Sequence, residues 1–210
     1  MTKQYKKIIK HYESCLEKHG DNHLGVDWPK IDDVDKRYQV MLDIINFKKV
    51  NSTSFDLLDF GCGTAHLLEF IHKNNYKNIN YFGLDISKKF ITVAQSKYPK
   101  NEFYCTDILE SSNELPNFDF IVMNGVFTEK RELSFDEMWN YFTEMLTVIF
   151  NKCKVGIAFN VMSKNVDWER DDLFHVSHDL LTKFLCEKIS RNYIIRNDYG
   201  LFEYTVYIYK

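Results

Sequence analysis

The sequence predicts an α/β fold, a mostly parallel sheet with helices on both faces, finished by an antiparallel hairpin. Three observations carry this. From residue 55 onward, short apolar strands alternate with amphipathic segments, the order that builds a parallel sheet between helical layers. Acids or amides recur at strand ends (Asp59, Asp85, Asp107, Asn124), where open α/β sheets collect ligand-binding groups. Segments 193–196 and 203–209 flank Asn197-Asp198-Tyr199-Gly200, a turn-rich link too short for a parallel crossover.

The elements follow in order. Residues 2–18 and 33–49 read as two N-terminal helices, joined by a polar stretch from His19 to Pro29 that is placed to fold over a cleft. Residues 1–50 are expected to cap the site, and 51–210 to form one compact unit. Strand 55–60 ends in an acid and a glycine turn, and helix 64–74 restarts directly after it. Then come strand 79–85, helix 87–98, and strands 102–105 and 118–124. The next helix, 135–152, carries Phe135, Met138, Trp139, Phe142, Met145, Leu146, Ile149 and Phe150 at helical spacing. Ser134 and Glu137 form its capping box. This stripe is core packing, not a base-stacking platform. Strand 154–162, helix 177–190 and the hairpin complete the chain.

The run Leu57-Leu58-Asp59-Phe60-Gly61-Cys62-Gly63-Thr64-Ala65-His66 is the most informative stretch. Gly61 and Gly63 let the backbone turn tightly and leave no side chain between it and a ligand. Asp85 closes a second strand 22 residues after Gly63, where a carboxylate can accept both hydroxyls of a ribose. These features point to an adenosine derivative. A pyrophosphate favours a third glycine and no nearby negative charge, yet Ala65-His66 stand in place of that glycine and Asp59 opens the turn. A carboxylate attracts a cation by roughly 1 kcal/mol at 4 Å in water and several-fold more in a cleft. Charge sign therefore favours S-adenosylmethionine, with its sulfonium and ammonium, over NAD.

With these residues the chain resembles the class I S-adenosylmethionine-dependent methyltransferases, over residues 55–210. The resemblance implies a seven-stranded Rossmann-like sheet. It implies cofactor contacts from Asp59, Gly61, Cys62 and Gly63 in the first motif and from Asp85 with Ile86 in the second. In the third, Asp107 and Ile108 meet the adenine end, and Asn124 at the fourth strand end faces the reacting methyl. Bland readings compete: Asp59 as a turn cap, Asp85 as an N-cap with Ser87, Asp107 as ordinary loop chemistry. Arg37-Tyr38 are assigned to the methionine carboxylate, against a surface ion pair for Arg37.

On the acceptor side, strand four continues as Asn124-Gly125-Val126-Phe127-Thr128-Glu129. Nucleobase- and amide-directed relatives carry two prolines where this chain has Gly125-Val126, which demotes those acceptors. Catechol-type relatives place acidic metal ligands near this strand end. Asn124 substitutes poorly for an acid there, so no metal is expected. The catalytic candidates are His175, with Asp171 or Asp172 orienting it as a base, and Glu129 and Asn124; the competing reading leaves His175 in the approach to the Ser177 helix. Val26-Asp27-Trp28-Pro29 and Val166-Asp167-Trp168-Glu169-Arg170 resemble small bacterial methyltransferases encoded with surface-polysaccharide genes, which implies a sugar-linked hydroxyl as acceptor. The rival functions are a catalytically silent cofactor-binding scaffold, and an N- or RNA-directed methyltransferase.

Composition narrows the partners. A net charge of −3, with 27 basic and 30 acidic residues, offers no broad basic field for nucleic acid. Five scattered cysteines without a Cys-x-x-Cys suit a reducing cytoplasm better than a disulfide framework or a cysteine metal site. The polar start of the chain suggests neither a secretory leader nor a membrane span. Three prolines and no Gly/Ser-rich run speak against a linker and a second domain.

Overall fold

The computed structural model describes residues 5–48, 53–111 and 115–210. The expected first residues of the N-terminal helix, at 2–4, and the expected end of the second, at 49, lie outside them. Helix α1 covers Lys6–His19 and α2 Val34–Leu42. The sheet and its helices then alternate as β1 (Phe55–Phe60), α3 (His66–Lys73), β2 (Ile79–Asp85), α4 (Lys88–Lys97) and β3 (Glu102–Cys105). A one-turn α5 (Ile108–Ser111), β4 (Phe118–Met123), α6 (Phe135–Lys152) and β5 (Cys153–Ser163) follow. The chain ends with β6 (His175–Val176), α7 (His178–Phe184), β7 (Tyr193–Arg196) and β8 (Glu203–Tyr209).

Strand order is β3-β2-β1-β4-β5-β8-β7. Neighbours are parallel from β3 through β5, while β8 runs antiparallel between β5 and β7. The chain steps outward from β1 to β3 and then returns to the far side of β1, so the carboxyl ends of β1 and β4 flank the switch point where such sheets bind ligands. The terminal hairpin is present as the turn-rich link implied. The two-residue β6, pairing with the end of β5, was not expected from sequence. Two expected helices end early: α2 passes into a 3-10 turn at Asp43–Phe47, and α7 into a π turn at Leu185–Ile189.

Successive strand residues enter opposite layers, as the pleat requires. Leu58, Ile121, Phe159 and Ile208 pack with Met138, Phe142, Leu146 and Ile149 of α6. Their neighbours Leu57, Phe120, Ala158 and Tyr207 pack with Met41, Leu67 and Ile71 of α2 and α3. Burial on both faces explains why these strands read as continuous apolar runs. The α6 capping box forms as the sequence predicts, with the Glu137 amide donating to Ser134 Oγ at 3.2 Å and the Ser134 amide donating to Glu137 Oε2 at 2.8 Å. Tyr207 and Tyr209 on β8 donate their hydroxyls to the Val40 and Ile44 carbonyls, which fixes the hairpin against the N-terminal segment. Among the described residues no helix is long and apolar enough to cross a membrane. All five cysteines are free thiols.

Candidate functional site

Beyond β1 the backbone turns through Gly61 (φ 76°) and Gly63 (φ 54°) before α3 begins. A Cβ on Gly61 would stand 2.6 Å from Val126 Cγ2, so the loop after β4 closes on this turn only because the side chain is missing. The Gly61 and Cys62 amides donate to the Leu84 carbonyl at 2.7 and 2.9 Å. The Gly63 amide donates to Asp85 Oδ2 at 3.0 Å, and the Ser87 amide to Asp85 Oδ1 at 2.8 Å. One carboxylate thus ties the glycine turn to the start of α4. Burial pushes Asp85 up to about 6 against the pull of those amides.

Asp59 is buried at the same strand end and accepts a hydrogen bond from Tyr81 Oη at 2.7 Å. Burial, with the nearby Asp85 carboxylate, raises it to about 7 despite the tyrosine bond. An acid held this far from its ordinary range is poised to receive a cation.

These groups line a cavity of about 160 Å³. Asp59, Gly61, Cys62 and Gly63 bound it from the turn, and Asp85 and Ile86 from β2. Asp107, Ile108 and Asn124 close the side beyond β3 and β4, and Tyr38 reaches it from α2. Both polar atoms of the Asn124 amide are buried and have no protein partner. Asp107 already accepts Tyr5 Oη at 2.6 Å and the Leu109 amide at 3.2 Å, so its backbone and Ile108 are the freer surfaces for a ligand.

The N-terminal segment also borders this cavity. Tyr5, Ile8, Ile9 and Tyr12 of α1 line it, together with Val26 and Trp28. Ser87 Oγ donates to Glu13 Oε1 at 2.6 Å, and Asp21 lies 2.7 Å from both His66 Nε2 and Lys97 Nζ. The stretch between the first two helices is thereby fastened to α3 and α4.

A second cavity, of about 420 Å³, shares Tyr12, Trp28 and Gly125 with the first. Gly125 (φ 79°) admits the Trp28 ring, whose atoms lie 3.4 Å from where a Cβ would stand. Arg37 lines this cavity and not the glycine-turn cavity in which the methionine-carboxylate expectation puts it. The reason is Glu203, buried on β8, whose carboxylate accepts Arg37 Nε at 3.0 and 3.1 Å. Asn160 Nδ2 donates to the same carboxylate at 2.9 Å, while Asn160 Oδ1 accepts the Gly125 amide at 2.8 Å. A chain of hydrogen bonds therefore runs from Arg37 to the turn after β4.

His175 and Glu129 also line the larger cavity. His175 Nδ1 donates to the Ser163 carbonyl at 2.7 Å, and Nε2 accepts the Arg170 amide at 3.2 Å. The ring is only 5% exposed and both nitrogens are held by backbone. Neither expected acid orients it: Asp171 is exposed, and Asp172 receives Arg170 at 2.6 Å. His175→Ala is expected to lower folding stability by about 2–3 kcal/mol, since two buried hydrogen bonds are lost, without changing cofactor affinity of the folded protein. Denaturant unfolding and calorimetry check this. A variant as stable as the parent but unable to transfer methyl would restore the base role. Glu129, 8% exposed, is raised to about 8 by burial and by the neighbouring Asp27 carboxylate.

Residues 58–147 match the family model described as a methyltransferase domain. A Mycobacterium tuberculosis protein named for methyltransferase activity is 25% identical over 162 residues, 74% of this chain and 93% of the relative. The domain match and this relative together support an S-adenosylmethionine-dependent methyltransferase. Solved structures share its fold at low identity. The magnesium protoporphyrin IX methyltransferase of Synechocystis PCC 6803, bound to S-adenosylhomocysteine, aligns over 98% of this chain and 99% of its own, at 13% identity and a TM-score of 0.64. The plantazolicin methyltransferase, bound to a triazolic desmethyl-plantazolicin analogue and S-adenosylhomocysteine, aligns over 100% and 92%, at 16% identity and a TM-score of 0.63.

The residues present fit the cofactor of this class. The glycine turn leaves a cradle that side chains would fill, Asp85 presents its carboxylate beside it, and the Asn124 amide lies buried without a protein partner. Among the described residues no Lys or Arg lines the cavity; the acids Asp59 and Asp85 do. Sequence alone gives no role to Glu203 or Tyr12 and no specific partner to Asn160. Their only local signal is polarity within apolar runs, as in Phe159-Asn160-Val161.

Proposed function

We propose that this methyltransferase moves a methyl group to a small, hydroxyl-rich acceptor, a sugar or sugar-linked molecule, held in the cavity of about 420 Å³. The observation that carries this is the shared wall of Tyr12, Trp28 and Gly125, which sets an acceptor chamber directly against the glycine-turn cavity. Its size suits a small molecule. Asp33, Asp167 and Asn160 offer acceptors for hydroxyl hydrogens, and Trp28 and Trp168 offer aromatic faces.

When bound, S-adenosylmethionine supplies an electrophilic methyl on a sulfonium. In this reading Asp85 holds the ribose, Ile86, Asp107 and Ile108 border the adenine, and Asp59 with Tyr38 faces the methionine end. Asn124 stands at the junction, where its free amide orients what lies on either side. Arg37, fixed by Glu203 and lying 5.2 Å over the Trp28 ring, anchors the acceptor. Residues 1–50 serve as the cap that excludes water. Holding acceptor and methyl close and collinear supplies the larger part of the barrier reduction, so a dedicated base is not required. The five free thiols suit a cytoplasmic setting.

The test is incubation with methyl-labelled cofactor and panels of sugars, sugar nucleotides, RNA and peptides. Label on a hydroxyl of a small polyol supports the reading. Label on RNA or peptide alone, or on nothing while S-adenosylhomocysteine binds normally, overturns it.

A further inference from the structure

A cluster with no part in the cofactor site lies where α1 meets the exit of β4. His11 and Cys15 stand four residues apart on α1 and so share one face. Asp27, in the left-handed conformation (φ 56°) that closes the 3-10 turn His23–Val26, brings Oδ2 to 2.7 Å from His11 Nε2. Cys15 Sγ lies 3.6 Å from the same nitrogen. The ligand atoms of these three residues all fall within 4.8 Å of one another.

Glu129 supplies an independent sign. It comes from the loop after β4, is 8% exposed, and its Oε2 is buried without a hydrogen-bond partner. That oxygen stands 3.7 Å from His11 Nε2. The nearest guanidinium, Arg131, is 3.5 Å away and is shared with Asp172. A thiol, an imidazole and two carboxylates converge, and the buried Glu129 oxygen among them has no hydrogen-bond partner.

We propose that His11, Cys15, Asp27 and Glu129 form a four-ligand site for a divalent transition metal of the zinc class, clamping α1 and the following turn onto the exit of β4. Tetrahedral bonds of about 2.0–2.3 Å place ligand atoms roughly 3.3–3.8 Å apart. The sulfur–nitrogen and glutamate–nitrogen separations of 3.6 and 3.7 Å already match. The His11–Asp27 pair, at 2.7 Å, opens by about half an ångström as the ion replaces the hydrogen between them. One sulfur and one nitrogen beside two oxygens select a borderline ion over magnesium or calcium. Asp27 and Glu129 also line the larger cavity, so the ion stands in its wall.

The full chain, stripped with a chelator, is titrated with Zn²⁺ by calorimetry and with Co²⁺ by absorbance. The expected result is one ion per chain and a thiolate-to-cobalt charge-transfer band that Cys15→Ser removes and Cys105→Ser keeps. Cys15→Ser and Glu129→Gln should each weaken Zn²⁺ binding by at least about tenfold, since even outer-shell losses cost that much. S-adenosylhomocysteine binding by the same variants confirms that they are folded. Absence of the band in the parent chain, or its persistence in Cys15→Ser, overturns the site whatever the fate of the other variants.

Discussion

Asp85→Ala is expected to weaken S-adenosylhomocysteine binding by at least about 100-fold, a loss near 3 kcal/mol. Two backbone amides lose their acceptor at once, from Gly63 at 3.0 Å and Ser87 at 2.8 Å. Hydrogen bonds to a charged group contribute about 1.5–3 kcal/mol each, and an orphaned buried donor costs a comparable amount. The turn that cradles the cofactor and the start of α4 are both released, before any contact to the ribose is counted. Asp85→Asn, which keeps one acceptor oxygen, should lie between the two. Calorimetry measures the affinities and thermal unfolding reports the fold. Parent-like binding by a folded Asp85→Ala protein would move the cofactor elsewhere.

What was legible in the sequence was whatever local pattern decides. An acid at the end of an apolar strand followed by two glycines fixes backbone and ligand chemistry within ten residues. β1, β2 and β3 therefore have the limits expected, and every proposed cofactor residue except Arg37 borders one cavity. The Arg37–Glu203 pair is not legible locally, because Glu203 lies 166 residues away on a largely apolar-aromatic strand. The contact exists only once β8 is inserted beside β5. The surroundings of His175 are illegible for a related reason. A histidine among acids looks like a base, but two residues of β6 pairing draw its ring onto the Ser163 carbonyl. Pairing that short leaves no periodicity to read.

The expectation of no metal rests on Asn124 and on the absence of Cys-x-x-Cys, both of which concern short spacings. His11, Cys15, Asp27 and Glu129 span more than a hundred residues and meet only where the N-terminal segment packs against the exit of β4. The one local hint was the four-residue step from His11 to Cys15 on a helix, which is as common in solvated faces as in metal sites.

Asp59→Asn is expected to stabilise the protein without cofactor while removing much of its affinity for S-adenosylmethionine, and the stabilisation should grow with pH. Asp59 is fully buried and raised from 3.8 to about 7, first by desolvation and then by Asp85, with Tyr81 Oη pulling the other way. Tyr38 on α2 and the Cys62 thiol of the turn also face it. Between these two values the folded chain holds a proton that the unfolded chain has lost. Stability therefore falls as pH rises through this window, and the full cost is reached above pH 7. At 1.36 kcal/mol per unit, the cost is of order 4 kcal/mol. Asparagine carries no such penalty and still accepts the tyrosine bond, so the variant should match the parent near pH 4 and exceed it at pH 8. The ligand's cation reverses the sign: by favouring the carboxylate it should expel up to one proton on binding near pH 6–7, a release absent in Asp59→Asn. Calorimetry in buffers of different ionisation enthalpy counts that proton, and unfolding across pH follows the stability. A stability difference independent of pH, with no proton released, would show Asp59 to be an ordinary ionised turn residue.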